Sequence, residues 1–208
     1  MGYFFQSLLN RRQALAALAL ALGLLSRPAM AAQQFIGKAS NIRGRVVARR
    51  IKDTLSLKSG AGLLLKDSVE TEAESFARLD LAGRTRVHLG SRTRLLIDRF
   101  VAETGGILEL GEGAMLLDRP SKRPKIDLVI RSRFGLIAVR GTRFFAGPSK
   151  GVFGVFVARG TVDVEAAGVT RRLSAGDGVD IPAEGEPPGE VKKWGKARID
   201  EALASVGL

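Results

Sequence analysis

Val139-Arg140-Gly141-Thr142-Arg143-Phe144 is the stretch whose reading decides the fold. It lies between two β-type runs, and the glycine in its middle permits a sharp backbone turn that no residue with a Cβ makes as easily. The Thr142 hydroxyl is expected to tie that turn down. The phrase is therefore read as a corner between strands, with Val139, Arg140, Gly141, Thr142 and Phe144 as structural positions. The alternative is that the corner presents Arg140 or Arg143 to a partner.

Outward from this corner the period is two. Ala77, Leu79 and Leu81 alternate with Arg78 and Asp80; Thr85, Val87 and Leu89 alternate with Arg86 and His88; Val162 and Val164 alternate with Asp163. Each run predicts a half-buried strand. Glycines interrupt the runs at short intervals, among them Gly160 and Gly176, so the chain is expected to be all-β. Sandwich, barrel and coiled stack of short strands all remain open on this pattern alone. The recurrence of strand, glycine, strand without an exact repeat favours a twisted, solenoid-like stack, with a β-sandwich as the alternative. Residues 194–206 place Trp194, Ala197, Ile199, Ala202, Leu203 and Val206 on one stripe, which predicts a short C-terminal helix. About 13 residues are marginal as an isolated helix, so this one should dock on the β body with Trp194 as its anchor.

Several further phrases occur in a fixed order: Gly44-Arg45-Val46-Val47, Leu65-Lys66-Asp67-Ser68-Val69-Glu70-Thr71, Ser75-Phe76-Ala77-Arg78-Leu79, Gly90-Ser91-Arg92-Thr93-Arg94, Leu108-Glu109-Leu110-Gly111, Arg159-Gly160-Thr161-Val162 and Ser174-Ala175-Gly176-Asp177. Together with the corner phrase they resemble the FecR domain family over roughly residues 35–182. The resemblance implies a twisted β-helical assembly and a protein that binds and transmits a signal without catalysing a reaction. FecR sensors of the three-part kind carry a cytoplasmic sigma-binding region, a membrane span and a periplasmic domain. This chain matches only the periplasmic FecR domain of that arrangement, which makes direct contact with a sigma factor doubtful.

Residues 1–31 have the layout of a secretory leader. Arg11-Arg12 precede an apolar or small run over residues 14–25, and Ala29-Met30-Ala31 is a small-x-small cleavage pattern. At about 1.5 Å per residue the run reaches about 18 Å, short of the roughly 30 Å of a bilayer core. A cleaved signal is thus expected, by the general or the twin-arginine route, with an uncleaved inner-membrane anchor as the alternative. The resulting division is a signal peptide at 1–31, a β domain at 32–182, and a proline- and glycine-rich linker with its helix at 183–208. Pro120-Ser121-Lys122-Arg123-Pro124-Lys125 cannot pair as a central strand and is read as an exposed loop.

The chain holds no cysteine and one histidine, His88. Cysteine chemistry is excluded, zinc or copper sites built from His and Cys are not supported, and a Ser-His-Asp triad would have to use His88, which the alternation places among solvated charges. Glu109, Glu112, Asp118 and Asp127 sit at ordinary surface positions, and Ser174-Ala175-Gly176-Asp177-Gly178 has the composition of a tight turn. No nucleotide-binding glycine motif is present. The chain is therefore expected not to be an enzyme and to need no cofactor.

A formal net charge of +12 invites an anionic partner. Export argues against nucleic acid and for an envelope protein or an anionic envelope polymer, in the periplasm. The candidate contact residues are Arg78, Arg84, Arg86, Arg92 and Arg94. With strands stacked about 4.8 Å apart, Arg78, Arg86 and Arg94 are expected to form one outward ladder. The favoured function is a regulatory or sensory binding module acting through a protein partner, and the alternative is a structural protein adhering to cell-wall or surface polysaccharide.

Overall fold

The computed structural model describes residues 35–208 except 52, 103 and 121–126. The expected leader and most of the loop beginning at Pro120 lie outside the described residues. Among the described residues no helix is long and apolar enough to cross a membrane.

All the strands join one curled sheet, which folds over on itself as two facing layers. The first layer contains β2 (Val46–Arg49), β3 (Thr54–Ser56), β5 (Ser68–Thr71), β8 (Arg94–Val101), β9 (Gly105–Glu112), β11 (Asp127–Ser132) and β14 (Val169–Ser174). The second contains β1 (Gly37–Arg43), β4 (Gly62–Leu63), β6 (Phe76–Leu81), β7 (Thr85–Leu89), β10 (Met115–Asp118), β15 (Asp177–Ile181) and β16 (Lys192–Lys193). Two 15-residue strands, β12 (Gly135–Ser149) and β13 (Val152–Ala166), belong to both. The first part of β12 pairs β11 and its last part pairs β10, while β13 pairs β15 early and β14 late. The all-β class and the short helix expected from the sequence are both present. The chain winds back and forth between layers as a coiled stack does, and the layers face each other as in a sandwich.

Alternation builds the core. Leu79, Val87, Leu89, Met115, Leu117, Phe144 and Val155 from one layer meet Val69, Leu95, Ile97, Leu108, Ile130 and Val164 from the other, each fully or almost fully buried. Their packing against one another is the main stabilising contribution, since burying a large aliphatic or aromatic side chain contributes about 1.5–3 kcal/mol.

Where the chain crosses between layers, buried hydroxyls replace the missing ladder bonds. Thr93 Oγ1 donates to Ala114 O (3.1 Å) and accepts from Ala114 N–H (3.0 Å), and the Thr93 N–H donates to Thr71 Oγ1 (2.8 Å). Ser75 Oγ accepts the Arg45 N–H at 2.9 Å. Asp67, fully buried, accepts the Leu64 N–H at 2.9 Å and the Arg50 guanidinium at 2.7 Å at the crossing from β4 to β5.

The C-terminal helix, α1 (Lys196–Ala204), is shorter than the apolar stripe and begins after Trp194. It covers the outer face of the second layer, where Leu116, Phe145 and Phe156 form a second hydrophobic cluster with Trp194, Ala202 and Val206. Trp194 stacks on Phe156 at 5.3 Å, and Arg198 lies over its ring at 3.7 Å while bonding Asp180 and Ser149. The indole fits because the sheet beneath is bare: a Cβ on Gly178 would stand 2.1 Å from its Nε1.

Candidate functional site

The Arg140-Gly141-Thr142 corner is where β12 passes from the first layer to the second, beside the matching Arg159-Gly160-Thr161 corner of β13. Gly141 and Gly160 have φ of +62° and +86°, and the strand register shifts at both. Val139 and Phe144 are buried on either side. Thr142 departs from expectation. It is fully buried, but its hydroxyl has no hydrogen-bond partner, and it is the methyl, against Gly160, that fills the corner. Gly176 (φ +85°) lies at the crossing from β14 to β15. There Asp177 accepts the Ser174 N–H at 2.9 Å and pairs with Lys193 at 2.7 Å, so its carboxylate is occupied within a tight turn.

The expected arginine ladder does not form, because β7 and β8, although consecutive, are not neighbours. β7 pairs β6 and β10 in the second layer; β8 pairs β5 and β9 in the first. Arg78 and Arg86 therefore share the second layer with the turn residue Arg84, Arg94 is in the first and is bound to Glu70 at 3.3 Å, and Arg92 lies at the crossing.

A different charged row exists. Lys38, Asp80, Arg86, Asp118, Arg143 and Arg159 are successive cross-strand partners on β1, β6, β7, β10, β12 and β13. Their strand neighbours Leu79, Leu81, Val87, Leu117 and Phe144 point into the core, so the row faces outward. Arg159 reaches Asp118 at 2.6 Å. Arg143 and Arg159 escaped the sequence reading, because only the crossing of β12 and β13 brings them beside Arg86. Parity offered a signal for Arg143 alone, which alternates with buried Thr142 and Phe144; Arg159 has the parity of buried Val155 and Val157 and faces outward only through the register shift beside it.

His88 is not simply solvated. It is half-buried, and burial, followed by the nearby Arg78 and Arg143, holds its pKa below the ordinary value of 6.5, with Asp118 opposing. The four carboxylates considered for catalysis do not converge. Glu109 is paired with Arg131 at 2.8 Å, Asp118 is in the other layer, and among the described residues no group of three His, Cys, Asp or Glu could hold a metal.

At the end of the fold where the hairpin tips of the C-terminal half lie, the layers part around a cleft of about 270 Å³. Phe134 and Phe153 stack across it at 4.4 Å, and Arg133 stands over Phe134 while paired with Glu184 at 3.0 Å.

The fold is an all-β scaffold of one curled sheet that carries outward rows of charge. A family model described as FecR protein matches residues 67–163, so the chain carries a FecR domain over that stretch. Two crystal structures of a candidate anti-sigma factor from Parabacteroides distasonis ATCC 8503 share its fold, each with a TM-score of 0.53 and 18% identity over 65% of this chain. The match spans 64% and 63% of those two chains, just under two thirds of their length. No curated protein matches the chain.

Proposed function

We propose that this protein is a regulatory signalling module of the cell envelope, exported to the periplasm, that docks a protein partner on the charged row of its second layer. The FecR domain and the fold shared with the candidate anti-sigma factor support the regulatory role, and the leader-like sequence of residues 1–31 supports export. The observation that carries the choice of partner is the alternation of sign along the row from Lys38 to Arg143, beyond which Arg159 adds a second positive charge. Asp80 and Asp118 separate Lys38, Arg86 and Arg143, so a uniformly anionic polymer laid across it would meet a carboxylate at every second strand. A protein surface can match alternate signs one by one, which gives specificity and register at modest cost.

A charge exchange separates the two partners. Arg86→Glu with Arg143→Glu should abolish recovery of the partner from a cross-linked envelope fraction. Asp80→Lys with Asp118→Lys should weaken protein capture about tenfold or more but strengthen retention on anionic envelope polymer. If the lysine variant gains envelope binding that is lost with salt, the partner is a polymer and the protein-docking reading fails.

A further inference from the structure

On the outer face of the second layer, next to the row but sharing no residue with it, Asn41 and Arg43 of β1, Phe76 and Arg78 of β6 and His88 of β7 surround a hollow of about 120 Å³, closed on one side by residues 206–208. Asn41, Arg78 and His88 are cross-strand partners and stand in line. Their donors are largely unspent. Arg78 gives only its Nε to Ser40 Oγ (2.8 Å) and lies 3.4 Å from Asp80. Among the described residues the rest of its guanidinium, both ring nitrogens of His88, the Asn41 amide and the Arg43 guanidinium form no hydrogen bond. Arg43 is held over the Phe76 ring at 5.6 Å. No Asp or Glu lines the hollow, and the one carboxylate among its lining residues is the α-carboxylate of Leu208.

We propose that this hollow binds a single anionic group of carboxylate or phosphate size, held by Arg78 and Arg43, with His88 and Asn41 as further donors. Two guanidiniums with free N–H groups, beside an amide and an imidazole that can each turn a donor inward, form an arrangement for an acceptor-only group, and charge-assisted bonds from guanidinium are the strong ones. The volume lies well below the roughly 300 Å³ at which sites for whole drug-sized ligands begin, so the hollow takes a group and not a whole molecule. The charges around His88 agree with this. Burial first, then Arg78 on β6 and Arg143 on β12, with Arg86 on its own strand and against Asp118 on β10, holds its pKa below 6.5, and an anion bound beside it favours its proton.

His88 is the chain's one histidine, so its imidazole signals in an NMR spectrum of the untagged protein report directly on the hollow. Titration with inorganic phosphate at constant ionic strength should move them saturably, and the His88 pKa should rise, because a bound anion favours imidazolium. Sodium chloride should do neither. Arg78→Gln or Arg43→Gln should weaken the binding at least tenfold, while Arg172→Gln on the other layer should leave it unchanged. A blocked Asp-Glu dipeptide run in parallel distinguishes the source: saturation at lower concentration than phosphate assigns the group to a protein carboxylate, and the reverse assigns it to a phosphate. No saturable shift with either probe overturns the proposal, as does unaltered binding in a folded Arg43→Gln variant. Neither outcome depends on the charged row, so the two readings can fail separately.

Discussion

Gly141 and Gly160 both turn with positive φ, but they are not equivalent. A Cβ at Gly141 would meet open space, so Gly141→Val bears only the conformational strain of a β-branched residue at φ +62°, about 1–3 kcal/mol. At Gly160 the same Cβ would stand 2.6 Å from the Thr142 methyl and 3.0 Å from the Gly141 carbonyl, adding a clash to the strain. Thermal melting should rank Gly160→Val clearly below Gly141→Val, and equal melting temperatures would remove the corner argument. The other residue-scale expectation concerns acid. Because the folded His88 has a lowered pKa, the unfolded chain binds its proton first, and the folded state is favoured fully only above about 6.5. In phosphate-free buffer, stability should fall as pH drops from 6.5 toward the folded His88 pKa, and His88→Gln should flatten that interval. Asp163 and Asp177 act separately and lower. Hydrogen bonds from Arg172 and from Lys193 hold their carboxyls below 3.8, so their contribution is present above that value and disappears in stronger acid.

At the scale of elements, α1 depends on its surroundings more than on itself. Its N-cap is Gly195, which makes no side-chain cap bond, no acid stands in its first turn, and nine residues are too few to persist alone. What holds it is the indole laid over Phe156 and Phe145 and the Arg198 contacts to Asp180 and Ser149. Trp194→Ala should cost about 3–5 kcal/mol and free the helix, seen as faster amide exchange over residues 196–204 with the β core still protected. Retained protection there would mean that the helix is fixed by other contacts. The apolar stripe and the Trp anchor were legible in the sequence because helical periodicity is local. The bare patch at Gly178 was not, because a glycine that makes room for a side chain sixteen residues later looks like any turn glycine.

For the whole molecule the same distinction holds. Period-two alternation identified the strands with Leu79, Val87 and Val164 facing inward, and the glycine corners were visible one by one. Which strands become neighbours was not visible. β6 and β7 pair as a hairpin, but β7 and β8 part into opposite layers at residues 90–93, and nothing in Gly90-Ser91-Arg92-Thr93 distinguishes that crossing from a hairpin turn. The Arg94 placement failed for that reason, and the row through Arg143 and Arg159 stayed hidden for the same one. Hydroxyls buried at Thr71 and Thr93 carry the crossing, yet in sequence they look like ordinary strand residues.

The long hairpin has a further consequence, which is one of phase. Inward residues of β12 fall on odd numbers before the corner, at Ile137 and Val139, and on even numbers after it, at Thr142, Phe144 and Ala146; in β13 the change runs from Val155 and Val157 to Val162 and Val164. One surplus residue at each corner therefore sets the two layers half a period apart, so that both turn their apolar side inward. Deleting Gly141 would remove that offset from β12 and leave it in β13: whichever layer kept its alignment, the other would have to show Phe144 and Ala146, or Ile137 and Val139, to water. Chain length at these corners is fixed to the single residue, whereas the hairpin tips can lengthen without altering which side chains the layers enclose.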